Sequence, residues 1–86
     1  LEAQAERVFA NVKLAVEAAG AGMADIVKMN TYIVASVDPA DVPKMRAVRS
    51  RYFGSGTPPA STLVYVSRLA QPGWMIEVEV VAAIDS

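Results

Sequence analysis

Two β-branched runs close this chain and constrain everything placed before them. Ser61-Thr62-Leu63-Val64-Tyr65-Val66 follows a pair of prolines, and Ile76-Glu77-Val78-Glu79-Val80-Val81-Ala82 follows Gln71-Pro72-Gly73-Trp74-Met75. β-Branched and aromatic side chains at this density suit strands, and the intervening Pro-Gly is turn chemistry. The spacing predicts strands over about 61–67 and 74–84. The segment between them is too short for a crossover helix, so the two are expected to pair antiparallel. Glu77 and Glu79 lie two apart and share one strand face, while Ile76, Val78 and Val80 share the other. Carboxylates in an apolar strand need solvent, a salt partner or a binding pocket.

The upstream half alternates between helix and strand patterns. Ala5, Val8, Phe9, Val12, Ala15, Val16 and Ala19 recur at steps of three and four, which predicts an amphipathic helix over about 2–19. Gly20 follows the last periodic position and suits a left-handed helix terminus. Ile26 to Val34 alternates with period two, placing Val27, Met29, Thr31 and Ile33 on one face and Lys28, Asn30 and Tyr32 on the other. Ser36-Val37-Asp38-Pro39 breaks that strand. A second helix starts near Asp38–Val42, buries Val42, Met45, Val48 and Tyr52, and ends in Gly54-Ser55-Gly56-Thr57-Pro58-Pro59.

The order α-β-α-β-β reads as one α+β domain over residues 1–86, with both helices on one sheet face. The other face needs cover from elsewhere. Eighty-six residues bury only roughly 60–65% of their unfolded surface, yet 53% of this chain is hydrophobic. That excess predicts association with further copies of itself. The chain also begins inside a helix, and a sheet of three strands is marginal. Additional strands upstream are therefore expected in a domain of this architecture.

Charge and composition narrow the chemistry. Eight basic against nine acidic side chains give a net charge of −1. Lys44, Arg46, Arg49 and Arg51 cluster, but their spacing fits a solvated helix face better than a phosphate or nucleic-acid site. Cysteine and histidine are absent, which removes disulfides, a thiolate nucleophile, a Ser-His-Asp triad and the commonest transition-metal ligands. Acid–base work falls to Asp, Glu, Lys, Tyr or water. No metal or cofactor is expected. No secretory pattern and no apolar run of membrane-spanning length occur, so the chain reads as soluble and cytoplasmic.

Several segments together resemble a known family. They are Gln4-Ala5-Glu6-Arg7-Val8-Phe9-Ala10-Asn11-Val12-Lys13, Ala18-Ala19-Gly20, Asp25-Ile26-Val27-Lys28, Tyr52-Phe53, Pro59-Ala60-Ser61-Thr62 and Ile76-Glu77-Val78-Glu79. They are similar to the Rid family (reactive intermediate deaminase, also YjgF or endoribonuclease L-PSP). The resemblance implies a chorismate-mutase-like fold, a homotrimer with ligand clefts between subunits, and a β-hairpin region ahead of the first helix that is missing here. It also implies hydrolysis of enamines and imines such as 2-aminoacrylate to a 2-keto acid and ammonia. Archetypal members hold the substrate carboxylate with an arginine directly after Pro-Ala, and a glutamate in the last strand places the attacking water. Here Ser61 stands at the arginine position, Glu77 at the glutamate position, and Arg46 where the archetype has an asparagine in the second helix.

The departure at Ser61 is physically large. A guanidinium fork makes two charge-assisted bonds to a carboxylate, and one hydroxyl offers a single neutral donor. The difference amounts to roughly 2–4 kcal/mol in binding a carboxylate substrate. Glu77 is the candidate catalytic group; the competing reading is a strand residue paired with Lys28 or an arginine. Ser61, Thr62, Leu63 and Arg68 are the candidate substrate-binding positions, against strand capping for the first two and simple solvation for Arg68. Glu79 reads as sheet surface, and Tyr32 and Trp74 read as packing or interface residues. The expected partners are further copies of the chain and a small molecule, with no nucleic acid and no membrane. A non-catalytic trimer that binds a metabolite or protein and acts as a regulator or chaperone is the alternative function.

Overall fold

The strand with the longest buried run becomes the centre of the sheet. In the computed structural model, which describes residues 1–54, 56 and 58–84, β1 (Ile26–Val34) lies between β2 (Ala60–Val66) and β3 (Ile76–Ala82). β1 pairs parallel with β2 and antiparallel with β3. The expected pairing of the last two strands with each other is therefore wrong. Each is bonded to β1 instead. Residues 67–75 make a connection long enough to pass the end of β1, which requires spanning only about 10 Å, two inter-strand spacings. Within it Gln71-Pro72-Gly73-Trp74 forms the anticipated turn, with Gly73 at φ 86° and the Trp74 N–H donating to the Gln71 carbonyl at 3.3 Å.

Helix α1 (Glu2–Ala18) and helix α2 (Val42–Phe53) match their sequence patterns closely. α1 ends in a Schellman arrangement: Gly20 at φ 88° donates to the Glu17 carbonyl at 3.0 Å, and Ala21 donates to the Val16 carbonyl at 2.8 Å. A short 3-10 turn, Pro39–Asp41, leads into α2, and the Asp38 carboxylate accepts from the Ala40 N–H at 2.9 Å. Ser55 and Thr57, in the segment expected to end α2, and Asp85 and Ser86 lie outside the described residues.

Both helices cover one face of the sheet, as expected. Ala5 and Phe9 of α1, Met29 and Ile33 of β1, Val42, Met45 and Val48 of α2 and Ile76 of β3 form a single buried cluster. One departure affects the face assignment. A bulge between Ile26 and Lys28 lets Ile26 enter the core and leaves Val27 about half exposed. Met29, Thr31 and Ile33 point inward as the alternation predicts.

Thr31 is fully buried, and its hydroxyl has no hydrogen-bond partner among the described residues. An unmet buried hydroxyl costs stability, and an apolar side chain of the same shape removes that cost. Thr31→Val is expected to raise folding stability by about 1 kcal/mol, read as a higher urea midpoint at unchanged slope.

A polar tether joins α1 to the segment that precedes β3. The Gln4 amide donates to the Gly73 carbonyl at 2.8 Å and accepts from the Met75 N–H at 2.8 Å. This bidentate contact fixes the first turn of α1 against the entry to β3. Gln4→Ala is expected to cost about 1–2 kcal/mol and to speed hydrogen exchange at the Met75 amide. Unchanged exchange there would show that the tether carries no weight.

Candidate functional site

The uncovered face of the sheet carries the polar side chains. On β1 it presents Lys28, Asn30 and Tyr32. Asn30 stands beside Thr62 of β2 and Glu79 of β3, and Tyr32 stands beside Val64 and Glu77. Oε1 of Glu79 accepts from Asn30 Nδ2 at 2.9 Å and from the Tyr32 hydroxyl at 3.3 Å. The nearby Glu79 carboxylate, foremost, holds the Tyr32 phenol above its ordinary pKa of 10.0. Desolvation, the hydrogen bond to Glu79 and the charge of Glu77 act in the same direction, and Asn30 opposes them.

Glu77 is exposed and makes no hydrogen bond or ion pair among the described residues. The competing reading, a salt bridge to Lys28, is not realised. Lys28 stands opposite Val81, four positions along β1 from Tyr32, or about 13 Å. The basic cluster of α2 is largely a solvated face. Arg51 bonds to Glu6 across the helix pair, and Lys44 lies 3.4 Å from Asp41. Arg49 is half-buried, and burial together with neighbouring Arg46 pulls its guanidinium below the usual value.

The other candidate positions do not gather around Glu77 within one subunit. Ser61 pairs with Met29 and so belongs to the helix-covered face, although it is exposed at the edge strand. Ser61 and Glu77 stand two strands apart and three positions out of step, about 14 Å between Cα atoms, with side chains on opposite faces. Thr62 lies on the uncovered face beside Asn30. Leu63 is half-buried against the core, so only its main chain is available to a ligand. Arg68 sits beyond the end of β2, at the same end of the sheet as Glu77. It lines a groove of about 370 Å³ with Ser36, Gln71, Trp74 and Met75.

A larger groove, about 720 Å³, runs between α1 and the outer edge of β3, lined by Gln4, Arg7, Val8, Val12, Trp74 and Val78 among others. That edge is unpaired among the described residues, as is the outer edge of β2. No cluster of three or more His, Cys, Asp or Glu is placed to hold a metal ion, and no helix is long and apolar enough to cross a membrane, among the described residues.

The family model described as endoribonuclease L-PSP matches residues 1–84 of the chain. This chain belongs to that family. A RutC family protein of Pyrococcus abyssi is 40% identical over 82 residues, which are 95% of this chain and 61% of the relative. A 2-iminobutanoate/2-iminopropanoate deaminase of Dermatophagoides farinae is 35% identical over 82 residues, 95% of this chain and 60% of the relative. Among solved structures, the Rid family protein YyfB of Yersinia pestis superposes with a TM-score of 0.87 at 35% identity, covering 98% of this chain and 62% of that one. The chorismate-mutase-like fold class expected of the L-PSP (Rid) family is thus observed. The chain spans about three-fifths of the length of these relatives.

One polar contact is not evident from the sequence. Glu79 is exposed on the sheet surface, as expected, and is also the acceptor that joins Asn30 to Tyr32. The signal was present in the alternation of both strands. It could not be read while β3 was assigned to β2, because only the pairing with β1 sets Asn30 opposite Glu79.

Proposed function

We propose that this L-PSP-family chain acts as a homotrimer whose small-molecule site lies between subunits and hydrolyses a reactive imine or enamine. The observation that carries this reading is Glu77: an exposed carboxylate on the uncovered sheet face, unpartnered among the described residues, at the position where the resemblance to the family implies its glutamate. In the reaction, Glu77 takes a proton from water as the oxygen adds to the C=N carbon. Glu77 returns that proton to the nitrogen, giving a neutral carbinolamine. On collapse the carbinolamine hydroxyl passes its own proton through Glu77 to the same nitrogen, the C–N bond breaks, ammonia leaves and a carbonyl product remains, an enamine first tautomerising to its imine. The separation of Ser61 from Glu77 supports an intersubunit site, because one subunit cannot bring the two together. The deaminase name of the mite relative supports the same reaction class. With Ser61 in place of arginine, the favoured substrates are imines without a carboxylate or with a charge that suits Glu77.

The test generates imines with an amino-acid or amine oxidase and traps them with semicarbazide. Loss of trapped imine in the presence of the protein is expected for at least one substrate, and no loss across the panel overturns the reading. A second reading is favoured by Ser61 alone: a trimer that binds a metabolite without turning it over. It predicts saturable ligand binding with the ligand recovered intact.

A further inference from the structure

We propose that Tyr32 is a second water-holding residue beside Glu77, and that Glu79 and Asn30 fix its orientation. This deepens the hydrolytic reading above and rests on it. Tyr32 and Glu77 are direct cross-strand neighbours on the uncovered face. Side chains so placed have Cβ atoms about 4.5–5.5 Å apart, and the Glu77 charge acts on the Tyr32 phenol; the water shared between them is the proposal. The Tyr32 hydroxyl has one proton, and the carboxylate of Glu79 is an acceptor only. In the 3.3 Å contact between them the hydroxyl is therefore the donor and Glu79 the acceptor. The phenol oxygen is left with its lone pairs as an acceptor towards its surroundings.

Glu79 is itself held in place. The same oxygen that receives the Tyr32 proton also accepts from Asn30 Nδ2 at 2.9 Å, so the carboxylate cannot swing away without breaking two bonds. The result is a directed chain: Asn30 donates to Glu79, Tyr32 donates to Glu79, and the Tyr32 oxygen faces outward as an acceptor. A water donating one hydrogen to Glu77 and the other to Tyr32 presents its lone pair in a single direction. That is the arrangement hydrolysis of a C=N bond requires. Tyr32 takes no proton in this scheme, and the proton removed from water goes to Glu77 and then to the departing nitrogen. The titratable groups facing Tyr32 are Glu77 and Glu79 of β3 and, further along its own strand, Lys28. The neighbouring face of β2 presents Thr62 and Val64, neither of which titrates in the accessible range.

Two readouts test this. The first needs no activity. In a Tyr52→Phe/Tyr65→Phe background Tyr32 is the sole tyrosine, and its ultraviolet titration reports the phenol directly. Glu79→Gln removes the charge that most raises the phenol pKa, so the midpoint falls; Glu77→Gln lowers it less. In sign, the folded phenol holds its proton more tightly than the unfolded one. Its contribution to stability is complete below pH 10.0 and disappears as pH rises through the folded midpoint. Glu79→Gln weakens that alkaline loss. An unmoved midpoint in Glu79→Gln overturns the proposal.

The second readout is turnover of whichever imine the wild-type chain consumes. Tyr32→Phe is expected to lower kcat about tenfold with KM changed less than about twofold. Glu79→Leu, which frees the hydroxyl to rotate, has the same effect. Glu79→Gln, which keeps an acceptor for both donors, retains most of the wild-type kcat despite shifting the titration. That split separates orientation from charge. If Glu77→Gln is inactive while Tyr32→Phe and Glu79→Leu turn over normally, the role of Tyr32 is overturned and the hydrolytic reading stands. If the wild-type chain consumes no imine, both fall together.

Discussion

Phe9→Ala is expected to remove about 3–5 kcal/mol of folding stability. Phe9 is fully buried and sits where the two helices meet the sheet. Its ring stacks on Tyr52 at a centroid distance of 6.0 Å and meets Phe53 edge-on at 6.5 Å. Truncation loses the transfer energy of the ring, leaves a cavity, and removes two aromatic contacts. A domain of 86 residues has a total stability of only roughly 4–13 kcal/mol, so the variant sits near the edge of folding. Thermal unfolding followed by circular dichroism should show a melting temperature lower by roughly 15–30 °C. Phe9→Leu, which keeps most of the volume, should cost about 1 kcal/mol. Equal effects from the two substitutions would mean that the site collapses freely around whatever it holds.

Glu77→Ala is expected to act on chemistry and leave the fold alone. The side chain is exposed and makes no contact among the described residues that its loss would break, so stability should change by no more than about 0.5 kcal/mol. If the carboxylate takes the proton of the attacking water, turnover should fall by about a hundredfold or more. The two measurements belong together: melting temperature on one axis, imine consumption on the other. A variant that keeps both wild-type values returns Glu77 to the status of a solvated strand residue. A variant that loses both would make it structural, against what its exposure implies.

Much of this architecture was legible in the chain. The helix periods of Ala5 to Val16 and Val42 to Tyr52 fixed both helices within a residue or two. The turn at Pro72-Gly73 and the left-handed Gly20 were readable from backbone chemistry alone. Strand order was not. Local pattern says which face of a strand is apolar, but sheet order is decided by which strand buries most beneath the helices, and that is a comparison across the whole chain. β1 wins it because Ile26, Met29, Thr31, Ile33 and Val34 are buried, whereas β2 has no buried residue and β3 only Ile76. A turn dipeptide inside the 67–75 connection suggested a hairpin and concealed a longer span. The site inherited that error. Spacing alone puts Glu77 with Glu79 and Asn30 with Tyr32, whereas the adjacency of the two pairs becomes visible only once β3 is laid against β1.

The bulge at Val27 has a consequence for how this chain tolerates change. Because one residue is already surplus there, the inward position of Ile26 and the outward position of Lys28 are both compatible with the regular alternation that continues to Tyr32. Removing Val27 would restore an even strand with the same side chains on the same sides. The start of the central strand is therefore a point where length can vary by one without a single functional group being turned over, a freedom that no position between Met29 and Ile33 shares.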